Sequence, residues 1–421
     1  MRILFVHPPS SNHNDEIALQ KIKSSSPSLG LLQLASIARS FGHEVKFFDR
    51  EFNAIKLHNW IPDLVAITAM TNEIAVASEV ASFFFGANIP TVLGGCHVTA
   101  EPYNTLIRYP QFKDIIEGEG EWKFTEFIGE DSSKFKTLDD FPDPAFDLIN
   151  WNKYCLSPFG SKSKRSLGLV TSRGCFGKCT FCSRKVFGNK FRAYSVPRLI
   201  EILNRTTFKD FLFYDDLFTG NRARLVEFCE KVIKYKYSWS CCSRVDNLDY
   251  ETMKLMKRAG CWMIEFGIES GSQEILDRMR KNISLEKIMN TLRETRRAGI
   301  LSKGNFILGN IGETKKSLQD TIEFASIIPL DMMQHTFLAP LPGTECYEEA
   351  KTEGEFNPSW EATNTFAINF VPKGLTREDL LKYSNRLIRK FYLNFSRLLL
   401  ISRHLTWRQL WAGIKTLFGF F

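Results

Sequence analysis

Short apolar, β-branched runs alternate with amphipathic helical stretches along this chain, in two separate blocks. In residues 1–130 the runs are Ile3–Val6, Val45–Phe48, Leu64–Thr68, Thr91–Leu93 and Asp114–Ile116. Between them lie patterns such as Leu29–Phe41, apolar at 31, 32, 34, 35, 37 and 38. Strands alternating with helices imply a parallel sheet with helices on its faces, so the first block predicts a doubly wound, Rossmann-like α/β domain. Ligands of such sheets sit at the carboxyl ends of the strands. Those ends carry His7-Pro8-Pro9, Thr68-Ala69-Met70-Thr71, Gly94-Gly95-Cys96-His97 and Glu117-Gly118-Glu119-Gly120-Glu121. Glycines there let backbone approach a bulky ligand, and they are equally ordinary turn residues. The residues alone do not name the ligand.

The second block, 166–345, repeats the alternation. Strand candidates are Gly168–Thr171, Asp210–Tyr214, Tyr237–Cys241, Met263–Gly267, Asn305–Leu308 and Met333–Leu338. Helical stretches lie between them, including Pro197–Arg205, Arg222–Lys234, Tyr250–Ala259 and Leu285–Ala298. Six repeats predict a partial (β/α)6 barrel with its active site at the strands' carboxyl ends. Asp215-Asp216 follows the second strand, Ser243-Arg244 the third and Glu269-Ser270-Gly271-Ser272 the fourth. Gly309–Thr314 follows the fifth and Pro340–Thr344 the sixth. Each has a local explanation: Asp215-Asp216 could cap a helix, Arg244 could pair with a structural carboxylate, and acidic residues are common in loops. Their order after successive strands shifts the balance towards a site.

The loop after the first strand holds Cys175, Cys179 and Cys182, a C-x3-C-x2-C spacing entered through Arg173-Gly174. Three thiolates on one tight loop can hold three corners of a metal cluster, whereas a structural zinc site wants four ligands. No second Cys or His pair follows at finger spacing, which leaves a fourth metal position open. Thiolates suit iron–sulfur clusters, and an iron with a vacant site can chelate a small molecule and pass it an electron. A zinc knuckle completed from a distance, or chance clustering among the ten cysteines, is the plainer alternative.

Composition narrows the setting. A length of 421 residues allows about three ordinary domains. At 44% hydrophobic and 13% aromatic the chain can fill packed cores, which argues against long disorder. Ten cysteines are too sparse for a disulfide scaffold, and Met1–Pro9 reads as a strand and loop rather than a signal peptide. Reduced thiols in the cytoplasm are the expectation. No apolar run reaches the roughly eighteen residues of a membrane-spanning helix. The net charge of +8 lies wholly after Asp379, where Lys382, Arg386, Arg389, Lys390, Arg397, Arg403, Arg408 and Lys415 meet no acidic residue. That distribution argues against a nucleic-acid-binding surface. Residues 131–165 read as an exposed, polar and proline-rich linker, and 346–421 as a helical region (Thr376–Phe395) with a basic amphipathic tail. Such a tail suits the anionic, inner face of a membrane, or a cover over the barrel.

The motif series resembles the radical SAM (S-adenosylmethionine) core: R-G-C-x3-C-x-F-C, F-Y-D-D-L-F-T, S-R-V-D, G-I-E-S-G-S, G-x-x-G-E-T and P-L-P-G-T. The order PP, S-L-G-L, G-H-E-V, P-D-L-V-A-I-T, G-G-C-H-V-T and G-E-G-E resembles the cobalamin-binding domain that precedes this core in one large group. The whole is similar to the anaerobic magnesium-protoporphyrin ester cyclase group. The resemblance implies a [4Fe–4S] cluster on Cys175, Cys179 and Cys182. It places SAM methionine and ribose among Asp215, Asp216, Arg244, Glu269 and Ser270, and adenine by Gly309, Glu313, Pro342 and Gly343. Ile311 stands where the group often has proline, which leaves that loop's path open. Cobalamin is implied at Pro8, Pro9, Thr68, Thr71, Gly94, Gly95, His97, Gly118, Glu119 and Gly120. The chain lacks the Asp-x-His-x-x-Gly hexapeptide of histidine-ligated cobalamin proteins, so neither His7 nor His97 is assigned to cobalt.

The implied chemistry is reductive cleavage of SAM to a 5′-deoxyadenosyl radical, hydrogen abstraction from an unactivated carbon, and methylation of an apolar small molecule. The alternative within the group is an oxidative, ring-forming cyclase. A flavodoxin or ferredoxin would supply electrons. A tRNA methylthiotransferase would need a second cysteine trio before the core, where Cys96 alone precedes residue 150. A non-catalytic cluster or cobalamin sensor would leave the SAM-site series without a purpose.

Overall fold

The computed structural model describes residues 1–9, 27–49, 59–151, 154, 166–393 and 397. The first sheet contains β1 (Arg2–His7), β2 (Glu44–Asp49), β3 (Leu64–Thr68), β4 (Thr91–Gly94) and β5 (Asp114–Ile116). All its pairings are parallel, in the order β2-β1-β3-β4-β5. Strands covered on both faces read as unbroken apolar runs. In β1, Ile3 and Phe5 pack with Leu31, Ala35 and Phe124 on one face. Leu4 and Val6 pack with Ile74, Ala77 and Phe84 on the other. The chain order reverses between β1 and β3, the kind of place where such sheets take their ligands.

The second sheet begins with β6 (Leu167–Leu169). A two-residue ribbon, β7 (Ser172–Arg173) with β8 (Arg192–Ala193), brackets the cysteine loop. Then follow β9 (Asp210–Phe213), β10 (Ser238–Ser243), β11 (Cys261–Glu269), β12 (Leu301–Leu308) and β13 (Met332–Phe337). The six strands of this sheet are parallel neighbours in chain order, from β6 through β9 to β13, the topology of an open (β/α)6 barrel. Inward-facing Glu265, Gly267, Asn305, Ile307, Gln334 and Thr336 are half-buried, while their outward neighbours such as Ile264, Phe266 and Phe306 are fully buried beneath helices. Five of the barrel's helices start on a side-chain cap: Ser195, Asn221, Asp249, Ser284 and Thr314 accept an N–H from three residues on. Such caps satisfy donors that a helix start otherwise leaves unpaired.

Two expectations change. β12 begins at Leu301, not Asn305, because Lys303 and Gly304 disguise its first half as a loop. Lys303 lies 3.1 Å from Glu265 on β11, and a Cβ on Gly304 would fall 2.6 Å from Ile268 and Leu330 side-chain carbons. The described part of 131–165 is not an exposed linker. Phe135, Leu138 and Phe141 are buried in the barrel's core, and Gln33 and Ser36 donate to the Pro142 and Asp143 carbonyls.

The C-terminal region follows β13 with helix Glu345–Glu353, the antiparallel ribbon of β14 (Gly354–Phe356) and β15 (Phe370–Pro372), and helix Arg377–Tyr392. Tyr392 hydroxyl accepts from Met333 N–H at 3.1 Å and donates to Met333 C=O at 2.5 Å, at the outer edge of β13. Arg397 is buried and donates to the Ile328 carbonyl at 2.9 Å, closing the end of helix Lys315–Ile327. The rest of the basic tail lies outside the described residues.

Candidate active site

The segment between β6 and Cys175 is tied down residue by residue. Asp215, fully buried, accepts from Thr171 N–H at 2.5 Å, Thr171 Oγ1 at 2.7 Å and Ser172 Oγ at 2.6 Å. Asp216, exposed, accepts from Gly174 N–H at 3.1 Å. Gly174 has φ +84°, and a side chain there would run into the Lys190 carbonyl. The loop then wraps on itself: Gly177 N–H donates to Cys175 Sγ at 3.4 Å, and a Cβ on Gly177 would lie 3.4 and 3.7 Å from the Cys175 and Cys179 sulfurs. Burial first, then the fields of Cys179, Cys175 and Asp216, push the Cys182 thiol up to about 11. Among the described residues no three His, Cys, Asp or Glu side chains converge on one metal ion. A cubane cluster asks something different, one thiolate for each of three separate irons, and this loop provides that donor set.

Two cations face the loop. Arg244, buried, donates to Asp246 at 2.9 and 2.8 Å and to the Lys281 carbonyl at 2.8 Å. Lys281 Nζ lies 2.6 Å from Glu269 Oε1. Burial opposes the Lys281 charge, but Glu269, by charge and hydrogen bond, and the nearby Cys179 outweigh it and hold its pKa above the usual value. Glu269 sits at φ +66°, and a Cβ on Gly267 would fall 2.7 Å from Lys281 Nζ. Lys281 is absent from the sequence expectation, since a lysine at the end of Arg278-Met279-Arg280-Lys281 reads as one more surface base.

The remaining barrel residues divide by task. Ser270, fully buried, accepts from Ser272 N–H and bonds Thr321 Oγ1 at 3.1 Å. Glu313 accepts from Gly309 N–H at 2.5 Å and Asn310 N–H at 3.0 Å, and burial pushes its pKa up to about 7. Asp215 and Ser270 thus use their polar atoms to brace loops of the mouth, and Glu313 does so through Oε2 alone, its other oxygen being buried without a hydrogen-bond partner. Pro342 is buried, and a Cβ on Gly343 would fall 2.6 Å from the Lys185 side chain. Cys346 N–H donates to the Thr180 carbonyl at 3.2 Å, joining the sixth loop to the cysteine loop.

A cleft between the two sheets is lined by Gly30, Thr68, Gly94, Gly95, Gly118, Glu119 and Gly120 on one side. Leu169, Thr171, Arg173, Phe187 and Tyr194 line the other. A Cβ on Gly30 or Gly118 would meet nothing within 4 Å, so backbone there is open to a bulky ligand such as cobalamin, whereas Gly95 and Gly120 are closed off by Thr68 and Leu34. Pro8, Pro9, Thr71 and His97 do not line it. His97 is fully buried in the seam with the C-terminal region. Its ring stands 4.5 Å from that of Trp360, and Nε2 lies 3.2 Å from Thr105 Oγ1. Burial and nearby Arg108 push its pKa down to about 4. His7 is held between carboxylates, 2.5 Å from Asp49 and 3.7 Å from Glu73.

The model of the Radical SAM superfamily matches residues 169–325, and that of the B12 binding domain matches 16–128. The chain is 31% identical to the uncharacterized methyltransferase PH0819 of Pyrococcus horikoshii, over 94% of this chain and 92% of that protein. It is 28% identical to the anaerobic magnesium-protoporphyrin IX monomethyl ester cyclase of Cereibacter sphaeroides, over 93% and 70% of the two chains. Its fold matches that of the cobalamin-dependent S-adenosylmethionine radical enzyme OxsB with TM-score 0.74 at 16% identity, over 99% of this chain and 70% of that one. Likeness to one relative along nearly its whole length, with both domain matches in place, makes this chain a member of the radical SAM superfamily, in the group with a B12-binding domain ahead of the barrel.

Proposed function

We propose that this enzyme methylates an unactivated carbon of a small, largely apolar molecule, using a [4Fe–4S] cluster, SAM and cobalamin. The observation that carries the reading is the shared cleft: the glycine cradle of the first domain and the strand entering the cysteine loop form its two walls. When bound, the cluster supplies the electron that cleaves SAM to methionine and a 5′-deoxyadenosyl radical, and cobalamin supplies the methyl carrier. Cys175, Cys179 and Cys182 would hold three irons and leave the fourth to SAM. Arg244 and Lys281 supply positive charge beside the cysteine loop that would suit a SAM carboxylate, and Glu269 would offer an acceptor to its amino or ribose donors. Asp216 stands at the same mouth. The Gly309–Glu313 and Pro342–Gly343 loops form the adenine side, the former braced from behind by Glu313.

Ring-forming oxidation is the second reading, favoured by the similarity to the cyclase of Cereibacter sphaeroides. In either case a flavodoxin- or ferredoxin-like protein would reduce the cluster, and nucleic acid is not a substrate. Among the described residues no helix is long and apolar enough to cross a membrane. A cytoplasmic enzyme held peripherally by residues 398–421 fits the basic composition of that stretch, whereas Arg397 is already spent on the barrel.

Anaerobic reconstitution tests the core of the reading. Cys179→Ala should lose cluster iron and all SAM cleavage, and a full cluster in a triple alanine variant at 175, 179 and 182 would refute it. Mass spectrometry of small-molecule extracts from cells with active enzyme or the Cys179→Ala form then separates the two reactions. Methylation adds a methylene's mass to the product, and cyclisation removes hydrogens.

A further inference from the structure

Arg173 and Arg192 stand opposite each other in the ribbon that brackets the cysteine loop. Arg173 is buried two residues before Cys175. Its guanidinium donates to Glu119 Oε2 at 2.6 Å, to Glu121 Oε2 at 3.1 Å, and also to Glu121 Oε1. Arg192 donates to the other oxygen of Glu119. Phe187 covers the Arg173 guanidinium from one side, its ring centre 5.2 Å away. Both glutamates belong to the first domain, flanking Gly120 on the wall of the glycine cradle. Two cations at the base of the cluster loop therefore meet two anions on the rim of the cradle.

The barrel does not need this arrangement to shape its own loop, since Asp215 and Asp216 already hold Thr171, Ser172 and Gly174. The clamp reaches across the domain boundary instead. Breaking a buried ion pair from one side strands the partner charge at several kcal/mol, so the contact is kept by both ends or lost by both. An element with that property can carry energy between two sites, and such coupling is reciprocal.

We propose that Arg173 is a positioning residue that couples the two cofactor sites. A cluster-bound cysteine loop fixes Arg173, which fixes the Glu119–Gly120–Glu121 rim in the form that receives cobalamin. Cobalamin on that rim steadies the loop in return. The inference rests on the cobalamin reading of the cradle.

The test is a titration of hydroxocobalamin, read by its absorbance, into anaerobically reconstituted full-length protein and into the same protein stripped of iron. Binding should be about tenfold tighter with the cluster in place, a common size for coupling between sites. In the Arg173→Met, Glu119→Gln, Glu121→Gln variant, which leaves neither partner of Arg173 charged, the ratio should fall to one while iron per chain is retained. Arg173→Lys keeps the charge but loses the fork, and should leave a ratio of about threefold even if the triple variant fails to fold. A ratio of one in the unaltered protein, or a tenfold ratio surviving in either variant, overturns the proposal. Failure of the unaltered protein to bind hydroxocobalamin in either state removes the cobalamin reading itself, and the proposal with it.

Discussion

Lys281 and Glu269 share a hydrogen bond in a place where neither charge reaches bulk water, each side chain being 8% exposed. If that pair meets SAM, Lys281→Met should weaken SAM binding by about 10- to 100-fold, the worth of a hydrogen bond to a charged group. Equilibrium dialysis against reconstituted protein measures it, with Lys281→Arg as the charge-preserving control. Unchanged affinity with a retained cluster would make the pair structural. Glu313 gives a pH prediction of definite sign. Its folded pKa, about 7, lies above its ordinary value of 4.5, so its contribution to stability is whole below that ordinary value and is lost as pH rises through about 7. Glu313→Gln should flatten that decline in a series of thermal melts from pH 4 to 8, and an unchanged slope would contradict the assignment. At this scale the sequence was readable where residue type and spacing state the chemistry, as in the three cysteines. It was mute where the chemistry comes from contact across the fold. Lys281 lies beyond a helix from Glu269, and Asp215 turns away from the mouth that its neighbour Asp216 faces.

The cysteine loop depends on its backbone as much as on its sulfurs. Gly174→Ala would force a left-handed residue to carry a side chain into the Lys190 carbonyl. Iron bound per chain should fall severalfold while the circular dichroism of the barrel stays unchanged, and full iron loading in that variant would contradict the geometry. Elements themselves were legible wherever burial on both faces left an unbroken apolar run, as in Ile3–Val6 and Leu64–Ile67. β12 is half hidden in the sequence because two of its inward residues, Lys303 and Asn305, are polar and its outward Gly304 packs closely against Ile268 and Leu330. The stretch from Phe135 to Phe141 reads as linker for the opposite reason. Its buried aromatics are few, and acidic residues and prolines crowd around them.

The first domain is also joined to the C-terminal region, whose Trp360 packs on His97 and Tyr109 and beneath Arg108. Trp360→Ala should destabilise the protein by about 3 kcal/mol, the lower range for removing a buried tryptophan, as read from urea denaturation. A change under about 1 kcal/mol would show that the seam contributes little. No periodicity announces that contact, since its partners are some 250 positions apart, as the Arg108–Glu361 bond across the same seam illustrates. An open barrel has a further difficulty that a closed one escapes. Its last strand offers a row of unpaired backbone groups to any other extended chain. Here the Tyr392 hydroxyl occupies both the N–H and the C=O of Met333, and the Thr365 carbonyl takes the N–H of Phe337. The C-terminal helix is in that sense a guard against self-association, and a chain ending before Thr376 should form sheet-to-sheet aggregates under conditions where the full chain stays dispersed.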